Sequence, residues 1–68
     1  MYTLVGVDGN PFVVMGYVIR IMLKEGFTRE ECDAYTTAAM SGDYNNLLCV
    51  SIDYVERCNA RCADNADN

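Results

Sequence analysis

The chain has 68 residues, 51% of them hydrophobic by a broad count, and a formal net charge of −5 at pH 7. This composition is too apolar for a disordered chain, and the length allows only one small domain. The acidic balance argues against direct binding to nucleic acid, which requires clustered lysine and arginine. We therefore expect one domain over residues 1 to 59 and a flexible polar tail over residues 60 to 68.

The first predicted element is a β-strand over residues 1 to 7. This segment is rich in β-branched and aromatic residues, and the turn dipeptide Asp8-Gly9 follows it directly. A single strand leaves its backbone N–H and C=O groups without partners unless another strand pairs with it. We therefore expect this strand to pair between subunits.

A first helix is predicted from residue 11 to about residue 25. Asn10 is a good N-cap residue, Pro11 suits the first helical position, and Gly26 can end the helix in a left-handed conformation. The apolar run inside this helix is too short to span a membrane, since twelve residues reach only about 18 Å of a hydrocarbon core of roughly 30 Å.

Between residues 12 and 23, only Gly16 and Arg20 interrupt the apolar side chains of this helix. A helix that is apolar on nearly all sides cannot lie on the surface of a monomer. Two short helices and one strand would cover only part of it. We therefore expect a homodimer or higher oligomer, with an interface that includes Tyr2, Leu4, Val14 and Val18.

A second helix is predicted from the capping box formed by Thr28 and Glu31 to about Met40. Its apolar positions share one helical face. The residues on that face are Cys32, Tyr35 and Ala39, with Ala38 beside them.

A third helix is predicted over residues 44 to 59, with Asp43 or Ser41 as its N-cap. Residues 47 to 52 also have the composition of a strand, but an apolar stripe at helical spacing favours a helix. The predicted inward stripe consists of Tyr44, Leu47, Leu48, Ile52, Val55 and Cys58. The predicted fold class is thus α+β and mainly α, with one N-terminal strand followed by three short helices.

Three short motifs resemble a group of uncharacterised small proteins from Firmicutes bacteria and their prophages and mobile elements. The resemblance covers roughly residues 5 to 59 and implies a setting more than an activity. By analogy, small phage proteins often act as counter-defence factors that sequester a host immune signal or block a host enzyme. The motifs are Val7-Asp8-Gly9-Asn10-x-Phe12, Met15-Gly16-Tyr17-Val18 and Ser41-Gly42-Asp43-Tyr44-x-x-Leu47-Leu48.

The sequence favours a binding protein over an enzyme. It contains no histidine, no phosphate-binding loop and no nucleophile elbow, so we expect neither catalysis nor a cofactor. A small anionic, nucleotide-like ligand would have to meet the few cations outside the acidic segments and the N-terminus of the first helix. The predicted ligand-binding residues are Asn10, Phe12, Tyr17, Arg20 and Lys24.

Two other functions remain open at this point. The acidic C-terminal half, through Asp43, Asp53 and Glu56, could bind a basic surface of a host defence protein or nuclease. The chain could also be a minor structural or assembly protein.

No signal peptide is recognisable, so we expect a cytosolic protein. In that reducing compartment the four cysteines are expected to be free thiols. Cys58 and Cys62 are four residues apart, but without histidine or a closely spaced cysteine pair they do not predict a metal site.

Overall fold

A computed structural model of the chain describes residues 1 to 66, and the side chains of residues 1 to 63. It consists of three α-helices: α1 (Pro11–Lys24), α2 (Arg29–Ala39) and α3 (Tyr44–Ala66). The residues described contain no β-strand, so the fold is all-α. The prediction of an α+β fold with an N-terminal strand is therefore wrong.

The N-terminal segment satisfies its backbone without a second strand. The Tyr2 N–H donates to Oδ1 of Asn59 at 2.6 Å, and the Tyr2 carbonyl accepts from Nδ2 of Asn59 at 2.9 Å. A turn follows, in which the Val7 N–H donates to the Leu4 carbonyl at 3.0 Å and Gly6 has φ of +85°. One amide side chain on α3 thus supplies a donor and an acceptor to Tyr2, and the Val5 and Val7 N–H groups have local partners within the segment. The predicted pairing of an N-terminal strand between subunits is therefore wrong, because residues 1 to 7 form no strand.

Replacing Asn59 with alanine is expected to release this segment from α3. The substitution removes both hydrogen bonds to Tyr2, which together contribute about 1–3 kcal/mol. Amide hydrogen exchange of the full chain should then become faster over residues 1 to 7 and remain slow over α1. Asn59→Asp keeps the acceptor but places a carboxylate oxygen against the Tyr2 carbonyl, so it should also make exchange over residues 1 to 7 faster. Unchanged exchange in Asn59→Ala would contradict this role.

Both ends of α1 have the predicted caps. Oδ1 of Asn10 accepts from the Phe12 N–H at 2.9 Å, and Pro11 occupies the first helical position. At the other end, the Phe27 N–H donates to the Met22 carbonyl at 2.9 Å, and Gly26 has φ of +88°. This is a Schellman arrangement, which needs a residue that tolerates a left-handed backbone.

The second helix also begins as predicted. The Thr28 hydroxyl accepts from the Glu31 N–H at 3.1 Å, and the Glu31 carboxylate accepts from the Thr28 N–H at 2.9 Å. These bonds hold the pKa of Glu31 below its ordinary value, chiefly because the Thr28 N–H stabilises the carboxylate. The predicted inward face is confirmed, since three of its residues are buried: Cys32, Tyr35 and Ala39.

The third helix is longer than predicted. Oδ1 of Asp43 accepts from the Asn46 N–H at 2.9 Å, so Asp43 caps the helix. Residues 47 to 52 are helical, and the helix continues through Ala66, seven residues beyond its predicted end. Most of the predicted polar tail is therefore helical, and residues 67 and 68 lie outside the described residues.

The buried stripe of α3 differs from the predicted one. Ile52 and Tyr44 are exposed, while Ser51 is fully buried beside Tyr35. The two hydroxyl groups are 2.6 Å apart, so each buried polar group has a partner. The inward residues of α3 are Leu47, Ser51, Val55 and Cys58.

The core lies where α1 packs against α2 and α3. Val18 is 0% exposed and Val14 is 3% exposed within this single chain, so neither side chain is available to a second subunit. Tyr2 and Leu4 are half-buried against the same core. The predicted interface is therefore wrong for Val14 and Val18, because the core of one chain already covers them. The other core residues of α1 are Met15, Ile21 and Met22.

No helix among the described residues combines the length and the apolar character needed to cross a bilayer.

Candidate functional site on the outer face of α1

The solvent side of α1 carries three large apolar side chains. Phe12 is 74% exposed, Val13 45% and Leu23 48%. Gly16 and Arg20 lie among them, because positions three or four residues apart share one side of a helix. We call these five residues the α1 outer face. Contiguous apolar side chains on a surface commonly mark a site of interaction.

Gly16 is the centre of this face. A Cβ atom at this position would meet nothing within 4 Å, so no contact inside the chain requires glycine. Glycine in a helix interior is about 1 kcal/mol less favourable than alanine. The fold of one chain therefore gives no reason for this residue, whereas close approach of another molecule to the α1 outer face would.

A concavity of about 480 Å³ lies beside Gly16, and we call it the Tyr17 concavity. Its volume falls within the range of roughly 300–1,000 Å³ found for small-molecule sites. The N-terminal segment forms one wall and α1 forms the other. The lining residues are Val7, Asp8, Val13, Gly16, Tyr17 and Arg20.

The charges in the Tyr17 concavity are of both signs. Arg20 is exposed, and in the described part of the chain its guanidinium forms no ion pair with a carboxylate. Across the concavity, one carboxylate oxygen of Asp8 accepts from the Asn10 N–H at 2.8 Å. The second oxygen of Asp8 is available to a hydrogen-bond donor on a ligand.

The structure brings together only two of the five predicted ligand-binding residues. Tyr17 and Arg20 share the concavity. Phe12, at the start of the α1 outer face, does not line the concavity but lines a separate groove of about 300 Å³ together with Tyr44. Lys24 lies at the far end of α1, with its Nζ atom 6.0 Å from the centre of the Tyr2 ring.

The predicted anion site at the start of α1 is already occupied by protein atoms. The Asn10 side chain accepts the Phe12 N–H, and the Asp8 carboxylate lies next to it. A second negative group would be repelled by Asp8 and would find the first N–H already bonded. Asn10 therefore acts as a helix cap, and the sequence-based assignment to ligand binding is not supported by this geometry.

Sequence reasoning missed Val7, Asp8 and Val13 as neighbours of Tyr17. The spacing of Val13, Tyr17 and Arg20 could have revealed one of them, because positions four and seven residues apart share a helix face. No comparable pattern in the sequence shows that the N-terminal segment folds back along α1.

The acidic residues of the alternative site do not form one patch. Asp53 pairs with Arg57 at 2.9 Å, which offsets its charge. Asp43 is engaged in capping α3 and lies ten residues before Asp53, about 15 Å along the helix axis. Glu56 is exposed beside the Asp53–Arg57 pair.

All four cysteines are free. Burial raises the pKa of the Cys58 thiol to about 11, so this group stays protonated near neutral pH. Cys62 is half-buried. Among the described residues, no three side chains of histidine, cysteine, aspartate or glutamate come together as a metal site.

No protein-family model, curated protein or solved structure matches this chain. The resemblance to small Firmicutes and prophage proteins therefore stays a prediction.

Proposed function

We propose that this is a non-catalytic binding protein that acts as a homo-oligomer and captures a small anionic, nucleotide-like ligand in the Tyr17 concavity. One observation carries the proposal. An aromatic ring and a guanidinium without a carboxylate partner among the described residues line the same concavity of about 480 Å³.

Three side chains of the concavity suit different parts of such a ligand. The planar guanidinium of Arg20 can donate two parallel hydrogen bonds to a phosphate. The half-buried Tyr17 ring offers an apolar surface on which a base can stack. The remaining oxygen of Asp8 can accept from a hydroxyl or amino group. Together these groups would favour a ligand with a planar ring and a single negative group over a bare anion.

The proposed location is the host cytosol, where four free thiols are compatible with the reducing conditions. The resemblance to prophage proteins suggests a counter-defence setting, in which the captured molecule would be a signal of the host's defence. This part of the proposal is an analogy.

Arg20→Ala is expected to weaken ligand binding by roughly ten- to hundredfold, because it removes a charge-assisted hydrogen bond to phosphate of about 1.5–3 kcal/mol. Isothermal titration calorimetry against a panel of cyclic and linear nucleotides would measure this. Arg29→Ala is the matched control, since it removes the same charge from an exposed position on α2, outside the concavity. Its affinity should equal that of the wild type.

Two results would refute the proposed ligand site. One is a wild-type protein that binds no nucleotide in the panel. The other is an Arg20→Ala variant that binds as tightly as the wild type and the Arg29→Ala control.

A further inference from the structure

We infer that the α1 outer face docks a second copy of this chain, with the two α1 helices packed antiparallel across Gly16. The inference rests on the self-association in the proposed function and names the surface that mediates it. Two features support a second copy as the partner, namely the shape of the face and the charges beside it, and the resulting arrangement also completes the Tyr17 concavity.

The shape of the face suits a helix. Gly16 leaves open space at the middle of α1, and large apolar side chains flank it on both sides, with Phe12 one turn before and Leu23 two turns after. The distance between packed helices depends on the side chains at the crossing point, so a glycine there allows close approach. A second α1 crossing at Gly16 would cover Phe12 and Leu23 of the first.

The charges beside the face are complementary between two copies. Asp8 lines the Tyr17 concavity, while Lys24 follows Tyr17 by seven residues and therefore lies on the same flank of the helix. A two-fold axis perpendicular to the helices reverses their direction and keeps each residue on its own flank. Asp8 of one copy then meets the basic end of the second copy's α1. Neither charge forms an ion pair within the described chain.

This arrangement also completes the Tyr17 concavity. In one chain, the Asp8 carboxylate lies across from Arg20 and would repel an anionic ligand. The second copy's Lys24 would offset the negative charge of Asp8, so Asp8 would no longer repel an anionic ligand bound at Arg20. The concavity would then lie at the seam between the copies, with the partner contributing a charge to it.

The expected dimer is weak. The face consists of one helix of 14 residues, about 21 Å long, which is at the small end of specific protein interfaces. We expect dissociation constants on the order of micromolar, so analytical ultracentrifugation over a concentration series can follow the equilibrium directly.

Gly16→Leu tests whether the two α1 helices approach closely at Gly16. The new side chain would point into open space within one chain, so the variant should fold, as circular dichroism would show. It should also fail to dimerise, because it separates the two helices at their crossing point. A folded Gly16→Leu variant that dimerises like the wild type would overturn the inference, and so would a wild type that remains monomeric at every concentration.

A charge exchange tests the antiparallel direction of the two α1 helices. Asp8→Lys and Lys24→Glu should each weaken the homodimer, by roughly tenfold, because each places like charges together twice in a two-fold pair. Mixing the two variants should restore dimerisation, since both contacts in the mixed pair join opposite charges. Asp8→Asn is the control for the hydrogen bond to Asn10, which its side chain oxygen can still accept. Absence of restoration on mixing would overturn the antiparallel arrangement.

These results separate the inference from the proposed function. If the protein binds nucleotide but its dimerisation is unchanged by Gly16→Leu and by the charge exchange, only the inference about the interface is refuted. A protein that dimerises as expected but binds no nucleotide refutes the ligand proposal alone.

Discussion

Val18→Glu is expected to unfold the whole chain. Val18 is 0% exposed between α1 and the other two helices, so the new carboxylate would be buried without a partner. Such burial costs several kcal/mol even after relaxation. The total stability of a domain of 68 residues is only about 3–10 kcal/mol. Far-UV circular dichroism at neutral pH should show the loss of helix.

Val13→Glu is the matched control on the same helix. Val13 is 45% exposed, so its substitution should leave the helical spectrum and the urea midpoint close to those of the wild type. The same change should weaken dimerisation, because it places a charge on the α1 outer face. A folded Val18→Glu variant would contradict this. It would show that the core does not cover Val18 and that the residue lies on the surface, as the apolar pattern of the sequence alone predicted.

The second large effect concerns the buried hydroxyl pair of Tyr35 and Ser51. Tyr35→Phe removes one hydroxyl and leaves the Ser51 hydroxyl buried without a partner, which should cost about 1–3 kcal/mol. Ser51→Ala should lower the free energy of unfolding by a similar amount, because it leaves the buried tyrosine hydroxyl without a partner. The double variant leaves no buried hydroxyl without a partner, so it should be more stable than the sum of the two single changes implies.

Urea denaturation of the four proteins would measure this cycle. We expect a favourable coupling energy of about 1–2 kcal/mol between the two hydroxyl groups. Burial also raises the pKa of Tyr35, so the bond should persist at neutral and mildly alkaline pH. Additive effects of the single substitutions would contradict a bond between the two side chains.

The starts of the three helices and the end of α1 were predictable, because the residues that determine them are close in sequence. Asn10, Thr28 and Asp43 each cap a helix through a hydrogen bond to a backbone N–H two or three residues later. Gly26 ends α1 for an equally local reason, since its backbone is left-handed. No knowledge of the rest of the fold is needed to predict such features.

The Tyr17 concavity was only partly predictable. The sequence singled out Tyr17 and Arg20, which the structure brings together. It also grouped them with Asn10 and Lys24, which do not line the concavity of their own chain. Spacing along one helix identifies residues on a common side, but it cannot show which part of a distant segment lies against them. That part proved to include Asp8, which brings a negative charge into the site.

Where the helices start and where α1 ends could be predicted from the sequence alone, because local hydrogen bonds and backbone conformations decide those points. That residues 1 to 7 need no second strand could not be predicted in this way, because Asn59 lies 57 residues away from Tyr2 along the chain. The tertiary structure also decided that Ser51, and not Ile52, faces the core. In both cases a polar group found its partner on another element, and no pattern of apolar residues along one element carries that information.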